Sequence, residues 1–461
     1  MKRTTTILIL LVSLAAGQQN RGRRGRDSGV FHTEVPAHRY DLILCRVEAD
    51  SVTASILAYE DLEGYLDYGS ASTAVAPLPN GTPVVIVMRG LHADSGYKYR
   101  LHFRKPGASS FEQSAEYGFH TQRPPGSSFT FAVQADSHLD ENVSPAVYTR
   151  TLTNMSAAAP DFLIDLGDTF MTDKRRTDFK QAFPQYLAQR YYFGLIGRSA
   201  PVFLALGNHD GEGGSRNSGG MSAWSIANRK RYFPNPEADG FFSGNAMPDP
   251  VSGMLEDYYA FAWGDALLVV LDPYWPTKGG RGQPDDNWYW TLGNEQYRWL
   301  KKTLESSRAR FKFVFLHHPT GSKSQPIRGG IEAAKYNEWG GLNPDGSDGF
   351  RQHRPDWDKP IQKLLVENKV AAVFHGHDHM YVREELDGIV YQLVPQPGNP
   401  RTGGPGHKGE YGYTHGGVVG GSGYVRVSVG PRDAKVEFMR TTGTGSEVAD
   451  SYSIATPAKS N

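Results

Sequence analysis

The chain has a single cysteine, Cys45, in 461 residues. No intramolecular disulfide can form, and no cluster of thiolates can hold a soft metal ion. Cys45 sits in the apolar run Leu42-Ile43-Leu44-Cys45, so it reads as a small core residue. Excess charge is missing too. Lys+Arg and Asp+Glu both number 49, and the formal net charge is zero. That removes the broad cationic surface which duplex nucleic acid requires. A membrane-spanning run is also lacking, because the apolar stretch Ile7 to Ala16 is too short to cross a bilayer. What remains is a globular composition, 39% hydrophobic and 21% charged. A chain of this length exceeds one ordinary domain, and two are expected.

The N-terminus has the order of an export signal. Lys2 and Arg3 precede the apolar stretch, and the small residues Ala15 and Gly17 stand where a leader is cleaved. Residues 1–17 therefore read as a signal peptide, which places the mature chain in the secreted or periplasmic compartment. No cysteine follows to carry a lipid anchor. Residues 18–35, opening on an Arg-, Gly- and Gln-rich stretch, read as a flexible linker.

From residue 36 to 123 the pattern is all β. Ser51 to Tyr59 alternates apolar and polar residues, Pro83 to Met88 is a β-branched run, and Tyr97 to Phe103 alternates aromatic and basic residues. Short strands at this spacing predict a small β-sandwich, closed by the Pro124-Pro125-Gly126 boundary. Residues 127–445 change character. Apolar strand candidates at 129–135, 162–166, 202–206, 266–271, 311–316 and 370–374 alternate with helical stretches, of which 294–306 and 358–367 are the clearest. This predicts a layered α/β domain. Tyr424 to Phe438 returns to strand alternation and is expected to add edge strands, with 446–461 left as a C-terminal tail. Two long loops, 274–290 and the Gly-rich 398–423 with His407, Tyr411, Tyr413 and His415, are candidates for a functional role.

Five short segments end strand-like runs: Asp136-Ser137-His138, Gly167-Asp168, Gly207-Asn208-His209-Asp210, His317-His318-Pro319 and Gly376-His377-Asp378-His379. Their carboxylate, amide and imidazole donors suit Mn, Fe or Zn. Strand ends hold such donors rigidly, and in α/β sheets they are where ligands bind.

The set D-x-H, G-D, G-N-H-D, H-x-P and G-H-x-H resembles the signature of calcineurin-like metallophosphoesterases. With a fibronectin type III-like sandwich ahead of it, the layout is similar to purple acid phosphatases. The resemblance implies a four-layer αββα catalytic domain and two metal ions. One ion would be held by Asp136, His138 and His379, the other by Asn208, His317 and His377, with Asp168 bridging. His209 would face the substrate as general acid, and Asp210 would orient its ring or raise its basicity. The implied reaction is hydrolysis of a small phosphomonoester by in-line attack of a metal-held hydroxide. A phosphodiesterase or nucleotide hydrolase is the alternative, since the metal core would be the same. Arg216, Arg229 and Arg231 are candidates for gripping a further phosphate. A non-catalytic cell-surface binding protein is the rival from another class, and the intact ligand set speaks against it.

Two positions depart from the purple enzymes. Met171 stands where they carry a tyrosine ligand three residues after the bridging Asp, and His138 stands where they have a non-ligating residue. A colourless enzyme is expected. Outside the ligand set, His318 and His375 read as packing residues, Asp165 as a supporting carboxylate, and Tyr381 as a packing aromatic.

Overall fold

The computed structural model describes residues 31–175, 178–213, 219–274, 277, 287–320, 328–401 and 408–455. The signal-like residues 1–17, the linker up to residue 30, Arg216, His407 and residues 456–461 lie outside them.

Nine strands form the N-terminal region: β1 (Tyr40–Cys45), β2 (Ser51–Ala58), β3 (Leu62–Tyr68), β4 (Ala71–Ser72), β5 (Ala76–Leu78), β6 (Val84–Arg89), β7 (Gly96–Arg104), β8 (Glu112–Gln113) and β9 (Tyr117–His120). One sheet has the order β1-β2-β6. The other runs β4-β3-β7-β8, with β5 and β9 pairing to β3 and β7. Residues alternate between buried and partly exposed along β3, as expected of a strand with one covered face.

The remainder builds two larger sheets. Its elements are β10 (Phe129–Gln134), α1 (Pro145–Ala157), β11 (Phe162–Asp165), α2 (Phe179–Gly197), β12 (Val202–Leu204), α3 (Met221–Tyr232), β13 (Ser243–Gly244), β14 (Tyr259–Trp263), β15 (Ala266–Val270), α4 (Gly293–Ser306) and β16 (Phe311–Phe315). There follow α5 (Gly330–Ala333), α6 (Asn337–Gly340), α7 (Phe350–His353), α8 (Ile361–Glu367), β17 (Ala372–His375), β18 (Tyr381–Leu386), β19 (Ile389–Leu393), β20 (Gly417–Val419), β21 (Gly423–Val429), β22 (Asp433–Thr441) and β23 (Ser446–Ala455). The six-stranded sheet has the order β12-β11-β10-β21-β22-β23. The eight-stranded sheet runs β13-β14-β15-β16-β17-β19-β18-β20.

The two sheets bury their facing sides against each other. Phe131 of β10 lies 5.9 Å from Phe313 and from Phe315 of β16, and 6.4 Å from Phe374 of β17. Each such ring contributes about 2 kcal/mol by leaving water. Helices cover the outer faces. Tyr148, Leu152 and Met155 of α1 and Phe193 and Ile196 of α2 pack on Ala132, Leu163 and Val202. Tyr297, Leu300 and Leu304 of α4 and Ile361, Leu364 and Leu365 of α8 pack on Val269, Val314 and Val373. The order is helix, sheet, sheet, helix, as expected. Because both faces are covered, β10, β15, β16 and β17 are apolar runs rather than alternating ones.

Two sequence expectations change here. β21 is not an edge strand: it pairs antiparallel with β10 in the middle of the six-stranded sheet. Residues 446–455, expected as part of a tail, form the edge strand β23 on β22. Polar-apolar alternation with no helical period marked β21 as a strand, but pairing partners lie far off in sequence and leave no local trace.

The N-terminal sheet is fused to the larger unit. β2 is buried along its whole length despite its polar alternation, because both faces of β1-β2 are covered. Leu42, Leu44, Val52 and Ala54 point to the N-terminal core, while Ile43 and Leu57 pack against α2. Cys45 is buried, and burial pushes its thiol up to about 12, consistent with an inert core residue. No helix among the described residues is long and apolar enough to cross a membrane.

Arg190 of α2 ties the units together. It is fully buried and donates to the carbonyls of Ser55 (2.7 Å), Asp41 (3.3 Å) and Tyr232 (2.8 Å) and to Ser55 Oγ (3.1 Å). Arg190→Ala strands these acceptors and should cost about 3 kcal/mol or more, read as a lower urea midpoint of unfolding. A shift under about 1 kcal/mol would show that the clamp carries no weight.

Candidate metal centre

All five sequence segments lie just beyond the carboxyl ends of strands: β10, β11 and β12 in one sheet, β16 and β17 in the other. The strands run parallel within each sheet, so each sheet delivers its loops to one end. Glycines let the loops touch. A Cβ on Gly167 (φ +93°) would lie 2.3 Å from the Gly207 nitrogen, and one on Gly207 would lie 2.2 Å from Asp168 Oδ1. A Cβ on Gly376 would meet Asp136 Oδ2 at 2.7 Å. The backbone is held unusually. Asp136 (φ 57°), His138 (43°), Asp168 (55°), His377 (78°) and His379 (58°) are all left-handed. That conformation costs about 1–2 kcal/mol per non-glycine residue, and its clustering marks a functional site.

The side chains fall into two adjoining groups. Asp136, His138 and His379 present donor atoms that all lie within 4.8 Å of one another, and so do Asp168, His317 and His377. Asp136 Oδ1 lies 3.5 Å from His138 Nε2, 3.5 Å from His379 Nε2 and 3.9 Å from His317 Nε2. Asp168 Oδ2 lies between the groups, 3.3 Å from His138 Nε2 and 3.2 Å from His317 Nε2. His317 Nδ1 faces the Leu166 carbonyl at 2.9 Å, which fixes the tautomer and turns Nε2 toward the carboxylates. Asn208 lies on the β12 loop beside them.

Three buried polar atoms of the set, Asp136 Oδ1, Asn208 Oδ1 and His377 Nε2, have no hydrogen-bond partner among the described residues. Buried acceptors without donors are costly, and cations held one at each donor group would satisfy all three. The electrostatics agree. Burial opposes a charged His138, yet Asp136 and Asp168 outweigh it and push its pKa up to about 10. The same balance, led by Asp168, takes His317 to about 9. Burial favours a neutral Asp136, but His379, His138 and His317 hold its carboxyl low. His138 and His317 thus favour positive charge beside the carboxylates, while burial lowers His377 and His379 and keeps them neutral donors; the oxygen and nitrogen donors fit two hard or borderline metal ions.

His209 is half-open to solvent at the rim. Its Nε2 faces Asp168 Oδ2 at 4.0 Å, while Nδ1 sits 3.0 Å from both oxygens of Asp173. The partner of the ring is therefore Asp173, not Asp210. Asp210 is buried and turned to the backbone. Its carboxylate accepts from the amides of Asp168 (3.1 Å), Thr169 (2.8 Å), Phe170 (2.8 Å) and Gly207 (2.7 Å). It pins the β11 and β12 loops to each other. Asp173 belongs to a short 3-10 turn over 172–175, and nothing in its sequence spacing from His209 signals the contact.

Two of the three arginines expected over the site, Arg229 and Arg231, are committed elsewhere. Arg229 is buried against Glu212 (2.7 Å) and the carbonyls of Leu255 and Glu256. Arg231 reaches Thr82 in the N-terminal region. A different arginine, Arg328, lies at the centre: it pairs with Asp378 at 2.6 Å and reaches the His377 carbonyl at 3.3 Å. Asp165 accepts from Thr169 Oγ1, Gln134 Nε2 and the Gly167 amide. His375 is buried, and burial lowers its pKa to about 3. His318 is buried beside the His377 and Tyr274 rings. Tyr381 stacks on Phe438 and donates to Asp450. Met171 is buried three residues beyond Asp168.

Residues 129–381, more than half of the chain, match the calcineurin-like phosphoesterase family. Among solved structures, the purple acid phosphatase PPD1 from yellow lupin (Lupinus luteus) seeds superposes with a TM-score of 0.62 at 16% identity, covering 90% of this chain and 74% of its own. PhoD superposes with a TM-score of 0.63 at 15% identity, covering 92% of each chain. At such identities the likeness is one of fold. No curated protein sequence shows significant similarity to the chain. The family match, with two donor groups at adjoining strand ends, places the chain in the calcineurin-like phosphoesterases, the metal-dependent hydrolases of phosphoric esters.

Proposed function

We propose that the chain is an exported phosphomonoesterase. Asp136, His138 and His379 would hold one metal ion and Asn208, His317 and His377 a second, with Asp168 shared by the two groups. The observation that carries this reading is the position of Asp168 Oδ2, within 3.3 Å of an imidazole from each group, with His209 Nε2 at 4.0 Å on the open side. The leader-like residues 1–17 support export.

When bound, the two ions offset the charge of the phosphate and lower the pKa of a water for in-line attack. The protein's own residues then handle the leaving group. Asp173 on Nδ1 keeps the His209 ring oriented and leaves Nε2 free to deliver a proton to the departing oxygen. The His209 amide donates to Asp168 Oδ1 at 2.8 Å, so proton donor and central carboxylate are fixed to each other. Asp210 acts on the backbone alone, holding the loops that carry Asp168 and Asn208.

His209→Ala should retain both metals and lower turnover of alkyl phosphates by about 10²-fold, with a smaller loss on aryl phosphates that leave easily. Asp173→Asn should show the same leaving-group dependence at about tenfold. Full activity of either variant on an alkyl phosphate would refute the acid role. Asp210→Asn should instead cost about 3 kcal/mol of stability, because an amide nitrogen would face two backbone N–H groups; an unchanged urea midpoint would contradict the backbone role. Asn208→Ala should lose one metal per chain by elemental analysis. Wild-type protein loaded with Mn, Fe or Zn should favour monoesters in a panel of monoesters, diesters and nucleotides, and a preference for diesters or nucleotides would overturn the monoesterase reading.

A further inference from the structure

The Gly-rich segment after β19 reaches the ligand turn directly. Tyr413 is buried with Met380, Val382 and Leu393, and its hydroxyl donates to Asp378 Oδ2 at 2.9 Å. Asp378 stands in the chain between His377 and His379, one histidine from each donor group. Its other oxygen takes Arg328 Nη2 at 2.6 Å, and the same nitrogen donates to the His377 carbonyl at 3.3 Å. The guanidinium lies 4.5 Å over the Tyr411 ring. The segment is anchored independently by Glu332 of α5, whose Oε1 accepts from the Thr414 amide and hydroxyl at 2.6 Å and from the His415 amide at 3.0 Å.

His377 and His379 both have left-handed backbones. Such a turn persists only where surrounding contacts over-determine it. Among the described residues, Asp378 is gripped from both sides, the His377 amide donates to Asp136 Oδ2 at 2.9 Å, and the two imidazoles meet His317 Nε2 (3.2 Å) and Asp136 Oδ1 (3.5 Å). Asp378 is the one residue of the turn whose side chain is held from outside it and that adjoins both imidazoles.

We infer that Tyr413 and Arg328 are positioning residues for the His377-Asp378-His379 turn, and that through it they set the metal affinity of both donor groups at once. The inference rests on the proposed reading of His377 and His379 as ligands. Residues 411–415 are then a brace for the metal centre, acting through Asp378 and Arg328.

The test is competition between the full-length, Mn-loaded protein and a chelator, with urea midpoints measured in parallel. The variants are Tyr413→Phe, Arg328→Ala and Arg328→Lys. Tyr99→Phe is the control, because it removes another buried tyrosine bond, to the Arg198 carbonyl at 2.6 Å, in the N-terminal region. Tyr413→Phe and Arg328→Ala should each release both ions about 10-fold more readily. Arg328→Lys should fall between wild type and Arg328→Ala, since lysine keeps a cation for Asp378 but loses the planar guanidinium that lies over Tyr411. Tyr99→Phe should hold Mn like wild type. Tyr413→Phe loses one oxygen atom, so it remains informative even if Arg328→Ala fails to fold. Wild-type Mn retention in Tyr413→Phe, or equal loss in Tyr99→Phe, overturns the inference and leaves the ligand reading standing. A wild-type chain that retains no Mn overturns both.

Discussion

Two buried carboxylates, Asp136 and Asp168, need positive charge beside them. The centre sets the imidazoles of His138, His317 and His379 each within 3.5 Å of one of the two, and among the described residues it leaves Asp136 Oδ1, Asn208 Oδ1 and His377 Nε2 without a hydrogen-bond partner, where cations would fit. A buried anion without a counter-charge is among the costliest features a core can contain. Once these two are placed, the glycines that let the loops touch, the left-handed residues of the donor groups and the amides gathered by Asp210 all follow as means of keeping them there.

That cost is met by the sheets. Facing aromatic residues lock β10 against β16 and β17, so the strand ends cannot drift apart. The N-terminal β region is part of the same body. Arg190 and the doubly covered β1 and β2 tie it to α2, the helix behind the sheet that carries Asp136 and Asp168. This arrangement suits a scaffold better than a tethered recognition module. Support thus comes from behind, through α2, and from the side, through the Gly-rich segment at Asp378.

Much of the layered fold was legible in the sequence, because doubly buried strands are apolar runs and α4 has a clear 3.6-residue period. Strand β21 was legible as a strand but not as the central partner of β10, since antiparallel pairing across some 300 residues leaves no local pattern. The seven ligand candidates were legible for the opposite reason. They fall in short motifs of fixed local spacing, three of which carry a glycine, Gly167, Gly207 or Gly376, that lets one loop touch another. Asp210 shared that proximity and was assigned to His209, but the tight turn points its carboxylate into the backbone. Asp173 has no fixed spacing to His209 and could be found only in space. The same holds for Arg229, a candidate phosphate grip by sequence and a buried partner of Glu212 in the fold.

The sequence by itself determined the donor types, their order along the chain and the reaction class they belong to, because these depend on side-chain chemistry and on local backbone geometry. Tertiary structure decided which residues serve those donors: Asp173 behind His209, Asp210 under the loops, Arg328 and Tyr413 around Asp378. These are contacts between segments distant in sequence, set by how two sheets and their loops pack, and no periodicity or motif along a chain encodes them.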